Sequence, residues 1–261
     1  MRQERVVDCT RALLFIHGLG DSGLTWEPLL AQPGLQDSTL IAPDLIGYGR
    51  SSSVSSEKGY SFAAQIERLW RILDHFRVED VVLIGHSMGG DIANLMADGD
   101  QDGRIKGLIN VEGALTQHDL FLSGKAAQAA TEGCFNDWWR EFIAEKAWDW
   151  GEVPSGREYY ASLRFCRREA FLEGAQEIVR WATKLNPPFQ SRIGEIFSEL
   201  TIHKLFCYGS LSLPPETLEF VKQRNLPAQC FEGVGHCPHY DQTIEFVEVV
   251  ADFLKTLDYN I

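Results

Sequence analysis

The sequence predicts an α/β domain, with a mostly parallel central sheet flanked by helices and a helical segment inserted between two strands. Three observations carry this. Short, unbroken apolar runs recur along the chain, each followed by turn residues, and segments of helical period separate most of them. From about residue 116 to 199 the alternation stops and no convincing strand occurs. Continuous apolar strands alternating with helices imply a parallel sheet buried on both faces.

The runs are ALLFIH (12–17), TLIAPD (39–44), VVLIGH (81–86), GLINVE (107–112) and KLFCYG (204–209), with AQCFEG (228–233) as a sixth. SFAAQIERLWRILDHF (61–76) and QTIEFVEVVADFLKTL (242–257) repeat their apolar residues at helical spacing. The 116–199 segment holds five of the seven Trp, at 138, 139, 148, 150 and 181, and the pair Tyr159 and Tyr160. A small helical layer cannot bury so many rings internally, so some are expected to face the main domain and line a cleft. Trp26, Met88, Trp138, Trp139 and Tyr159 are the candidate lining residues. The expected division is a core of residues 1–115 and 200–261, with a helical lid over 116–199.

At 261 residues and 44% hydrophobic content the chain can bury one sizeable core. A formal charge of −13 argues against nucleic acid and anionic membrane as partners. The apolar runs fall far short of the roughly 20 residues of a membrane span, and MRQERVVDCTRALLFIHG does not read as a signal peptide. The six Cys show no C-x-x-C spacing, and Cys207 and Cys230 lie in strand-like runs as small core hydrophobes. A reduced, cytoplasmic compartment, a small-molecule substrate, and no metal or organic cofactor are the corresponding expectations; monomer and homodimer both remain open.

Gly85-His86-Ser87-Met88-Gly89 follows the strand VVLI and precedes a helical stretch. In that setting the glycines allow a sharp strand-to-helix turn that lifts a serine hydroxyl above the sheet edge, where the helix N-terminus favours developing negative charge. Ser87 is the expected nucleophile. A serine hydroxyl needs a base, and His236, in GVGHCP between the last apolar run and the final helix, is placed for it. His239 lies three residues further on, and His86 lies within the turn itself. The loop His17-Gly18-Leu19-Gly20 at the end of the first run can aim a backbone N–H over Ser87, which makes Leu19 and Met88 the expected oxyanion donors.

The HG-x-G loop, PDLIGYGRSS (43–52), GHSMGG and GVGHCPHYD, in that order, resemble the α/β-hydrolase fold family. The resemblance covers the chain apart from the inserted segment. It implies a lid placed after the sixth strand of the family's sheet, and a structural loop role for Asp44, Gly47 and Gly49, with Asp44 paired to Arg50. Little more than QERVVDCT precedes the first run, so the leading antiparallel hairpin is expected to be shortened.

One position departs from the family. In LFCYGSLSLPPETLEF (205–220) the usual place for a catalytic acid, about three residues past Gly209, holds Ser212. Glu216 is the next carboxylate, but after two prolines it serves more simply as a first-turn residue. Glu112, at the tip of the run GLINV, ends at the ligand-binding face of a parallel sheet and needs a partner such as His236. Some family members carry the acid at this earlier strand. Glu112 is the preferred acid, with Glu216 or none as alternatives. The expected function is a serine hydrolase acting on an apolar acyl or aryl ester through an acyl-enzyme. A C–C bond hydrolase or cofactor-free lyase using the same Ser and His is the alternative enzyme, and a slow-turnover receptor is the alternative outside catalysis.

Overall fold

The computed structural model describes residues 10–35, 39–54, 59–146, 153–183 and 191–257. Six strands form one sheet: β1 (Arg11–Ile16), β2 (Thr39–Ile41), β3 (Asp80–His86), β4 (Ile105–Val111), β5 (His203–Gly209) and β6 (Ala228–Phe231). Their order is β2-β1-β3-β4-β5-β6 and every pairing is parallel. All six coincide with the apolar runs of the sequence. β2 is shorter than its run and stops before Pro43, which has no N–H to donate to a ladder. The segment before β1 expected to hold a shortened hairpin lies mostly outside the described residues.

The strands read as unbroken apolar runs because both faces of the sheet are covered. Leu13, Phe15, Val82, Ile84, Ile109, Val111 and Cys207 pack with Phe246, Val250, Phe253 and Leu254 of the last helix, Thr243–Thr256. On the other face Leu14, Leu83, Leu108 and Phe206 pack against the helix Phe62–His75 (α1), the helix Met88–Asp98 (α2) and Phe197. Cys207 is fully buried as expected, whereas Cys230 is only half-buried and its thiol donates to Glu232 at 3.3 Å.

Between β4 and β5 the described residues form helices that include α3 (Leu122–Thr131), α4 (Phe135–Glu141), α5 (Pro154–Leu163), α6 (Arg168–Ala182) and α7 (Arg192–Glu199). After β5, α8 (Pro215–Gln223) leads to β6, and α9 is the last helix, Thr243–Thr256. The strand order reverses between β1 and β3, so the loops leaving these neighbours diverge at a crevice beyond their C-terminal ends, the position where open α/β sheets bind ligands. No helix among the described residues is long and apolar enough to cross a membrane.

Candidate active site

Ser87 sits between β3 and α2 with φ 51° and ψ −120°, outside the regions that L-residues ordinarily occupy. Such strain costs on the order of 1–3 kcal/mol and persists only where the surroundings enforce it. Close packing enforces it here. A Cβ on Gly85 would lie 2.2 Å from the Gly89 carbonyl oxygen, and one on Gly89 would lie 2.1 Å from the Ile16 carbonyl oxygen. Alanine normally favours a helix over glycine by about 1 kcal/mol. Gly89→Ala is nevertheless expected to destabilise the protein by about 1–3 kcal/mol, because the added methyl overpacks the contact with β1. A urea denaturation midpoint that rises instead would show that the turn accommodates a side chain.

His236 lies in the loop between β6 and the helical turn Pro238–Asp241. Its Nδ1 is 2.6 Å from Glu112 Oε2. A carboxylate only accepts, so Nδ1 carries the proton and Nε2 is left as a basic lone pair. Burial pulls the His236 pKa down, but the hydrogen bond and charge of Glu112, with the charge of Asp119, outweigh it and leave the pKa raised. The His236 side chain keeps 42% of its surface exposed, against 3% for Glu112.

Glu112 closes β4 with φ 51°, a second strained non-glycine residue at the site. Its turn is held from below: Gly113 N–H donates to Asn110 Oδ1 at 2.7 Å and Ala114 N–H to Asp91 Oδ1 at 2.8 Å. Its Oε1 accepts from Gly209 N–H at 2.7 Å and from the Ser212 hydroxyl. The serine at the family's usual acid position therefore donates to the carboxylate that comes from the neighbouring strand. Glu216 is exposed on the first turn of α8 and is absent from the cavity wall.

Leu19 follows β1 in the loop opposite Ser87, and Met88 opens α2. His17 anchors that loop. Leu45 N–H donates to its Nε2 at 3.0 Å, so Nδ1 bears the proton and donates to the Gly18 carbonyl at 2.9 Å. Burial lowers the His17 pKa to about 4, which keeps the ring neutral. Asp44 accepts from Gly23 N–H and from Arg50 N–H, both at 2.7 Å. It thus binds loop amides, and its expected pairing with Arg50 is made through the Arg50 backbone N–H.

Ser87, His236, Glu112, Leu19, Met88 and Tyr159 all line one cavity of about 610 Å³ with mostly apolar walls. Val153, which precedes α5, Pro154 of α5, Ile178 of α6 and Leu122 at the start of α3 contribute to it. The other aromatic candidates sit elsewhere. Trp26 is fully buried, with its ring centroid 5.3 Å from that of Phe15 and 4.4 Å from that of His239. Trp138 stacks on Phe142 at 5.1 Å and Trp139 packs on Phe171 at 4.7 Å, inside the insertion. Neither they nor Trp26 belong to the cavity wall. Trp148 and Trp150 lie outside the described residues.

Two residues given no role by the sequence brace the site. His86 Nε2 donates to the His236 carbonyl at 2.9 Å, and its ring stands 4.9 Å from that of His236 and 4.5 Å from that of His239. His239 is buried against Thr25 Oγ1 at 3.0 Å, and burial, then the nearby His236, bring its pKa to about 3. The only sequence signal for His86 was its place inside the turn, which says nothing of the loop 150 residues away that it holds.

A family model described as alpha/beta hydrolase fold matches residues 11–243. An uncharacterized protein of Mycobacterium tuberculosis is 38% identical over 297 residues, covering 98% of this chain and 79% of that protein. A Bacillus subtilis protein with a provisional assignment as 2-succinyl-6-hydroxy-2,4-cyclohexadiene-1-carboxylate synthase is 25% identical over 264 residues, covering 96% and 92%. Among solved structures, an esterase from Exiguobacterium antarcticum superposes with a TM-score of 0.73 at 17% identity, covering 94% of this chain and 92% of that one. A thermophilic esterase from Thermogutta terrifontis gives 0.71 at 20%, covering 94% and 90%. At these identities the structural likeness speaks to the fold alone.

Proposed function

The chain belongs to the alpha/beta hydrolase fold family, and from that premise we propose that it is a serine hydrolase that cleaves carboxylic esters with small to medium apolar acyl or aryl groups. The observation that carries this reading is the His236 Nδ1–Glu112 Oε2 contact of 2.6 Å at the wall of the cavity that Ser87 lines. Ser87 Oγ attacks the ester carbonyl as its proton passes to His236 Nε2. Glu112 holds the tautomer and stabilises the imidazolium. The carbonyl oxygen, now an oxyanion, accepts from the N–H groups of Leu19 and Met88. Collapse breaks the bond to the alcohol, which leaves with the proton from His236. Water then repeats the sequence on the acyl-enzyme, giving up a proton to His236, and collapse releases the acid and restores Ser87. The mostly apolar wall favours substrates with apolar acyl or aryl groups.

A second reading is a cofactor-free lyase or C–C hydrolase, which the likeness to the Bacillus subtilis protein favours. Quenched reactions with p-nitrophenyl butyrate distinguish the two. The ester reading expects a burst of nitrophenol and a butyryl mass increment on the peptide that contains Ser87. Absence of both burst and turnover across an ester panel would sink it. A slow-turnover receptor would give one equivalent of product followed by its retention.

A further inference from the structure

Leu19 is a loop residue between two glycines, Gly18 and Gly20, and Gly20 has φ 81°. A backbone this free does not hold an N–H in a fixed direction without outside contacts. Some contacts come from the core: the Gly18 carbonyl accepts from Asp21 N–H at 3.3 Å and from His17 Nδ1. Others come from the insertion and reach Leu19 itself. The Tyr159 hydroxyl, on α5, donates to the Leu19 carbonyl at 3.0 Å. The approach is so close that a Cβ on Gly20 would lie 2.6 Å from that hydroxyl. Burial raises the Tyr159 pKa well above that of an ordinary phenol, so the group stays protonated and remains a donor.

The side chain of Leu19 is gripped as well. On α6, a Cβ on Gly174 would fall 3.0 Å from Leu19 Cδ1, 3.0 Å from Met88 Sδ and 2.7 Å from the Tyr48 hydroxyl. Tyr48 in turn donates to the Ala170 carbonyl at 2.9 Å. One bare backbone position in the insertion therefore abuts the side chains of both residues whose amides point to oxyanion duty. α5 is seated at both ends. Ser155 donates from its hydroxyl to Asp241 Oδ2 at 2.7 Å, and Ser162 Oγ lies 2.7 Å from Ser22 Oγ. The buried carboxyl of Asp21 interacts with the half-buried one of Glu158 between the same loop and α5.

We propose that Tyr159 is a positioning residue of the oxyanion hole, and that α5 and α6 together assemble the hole by fixing Leu19 through the Tyr159 hydroxyl and by clamping Leu19 and Met88 at Gly174. This rests on the serine-hydrolase reading with Leu19 and Met88 as donors. The insertion is then a working part of the site as well as its cover. Unseating it releases the Leu19 amide, and turnover requires that it be seated when the oxyanion forms.

Tyr159→Phe removes the hydroxyl and leaves the ring. A lost oxyanion donor costs on the order of 10²–10³ in rate. A loosened donor costs less, and kcat for p-nitrophenyl butyrate is expected to fall about tenfold with KM within twofold. Affinity for an alkyl trifluoromethyl ketone, whose hemiketal with Ser87 places an oxyanion in the hole, is expected to fall by the same factor as kcat/KM. Gly174→Ala is expected to act in the same direction and more strongly. A role as cavity wall predicts a raised KM with kcat intact, and a purely structural role predicts a lowered melting temperature with neither kinetic change; either result overturns the proposal. Unchanged kcat and ketone affinity in both variants would also overturn it. Fluorophosphonate labelling of the wild type keeps the two levels apart: wild type that labels at Ser87 alongside silent variants refutes only the positioning role. Wild type that fails to label refutes the hydrolase reading beneath it.

Discussion

Ser87→Ala is expected to lower kcat for ester hydrolysis by roughly 10⁶-fold and to abolish the fluorophosphonate adduct, with the fold retained. The site contains one hydroxyl held by β3 and α2 in a conformation strained at φ 51°, at the N-terminal end of a helix and on the wall of the cavity shared with His236. Its side chain caps no amide of α2, so its removal unties nothing in the helix. The fraction that survives comes from groups that bind the substrate and polarise its carbonyl, which remain in place. Intact mass after labelling, followed by peptide mapping, reads the result directly. A variant that still gains the adduct at a tenth of the wild-type rate would move the nucleophile elsewhere.

Glu112→Gln is the second large effect, a loss of roughly 10⁴ in kcat. The amide is nearly isosteric and its oxygen can still accept from Gly209 N–H and Ser212, so the turn after β4 should hold. The loss is the negative charge facing His236 Nδ1. The pH profile adds an independent sign. In the wild type, burial lowers the His236 pKa, but the Glu112 hydrogen bond and charge with Asp119 leave it above the usual 6.5. The base works only when neutral, so kcat/KM in the wild type should fall with acidification from above 6.5. Without Glu112 the lowering effect of burial dominates, and that limb moves to lower pH while the plateau drops. Glu216→Gln, on an exposed first turn, should leave both plateau and limb unchanged. Equal losses in the two variants, or a limb that stays put, would remove Glu112 from the role.

The strands were legible because most of them are largely apolar runs, and a sheet covered on both faces writes that pattern without reference to anything distant; β6, AQCF, at the sheet edge is the weakest of them. The strained turn at Ser87 was legible for a related reason: Gly85 and Gly89 are demanded by contacts under 2.3 Å that any side chain would violate. The aromatic residues were not. Trp138, Trp139 and Trp26 carry the composition of a cleft, yet they pack on Phe142, Phe171 and His239, and a ring looks the same in sequence whether it faces a cavity or a neighbouring helix.

The alternation of runs and helices determined the architecture, and the glycine turn around Ser87 followed by a late loop histidine in chain order marked Ser87 and His236 as the candidates, since both signals can be read along the chain. The sequence left Glu112, Glu216 and no acid open, and the tertiary structure decided what Glu112 meets. Glu112, Ser212 and His236 meet across separations of 100 and 124 residues because β4, β5 and β6 lie side by side and end at one face. Tyr159 reaches Leu19 across 140 residues only once the insertion is seated. Contacts of that span are set by strand order and helix docking, which no local pattern records.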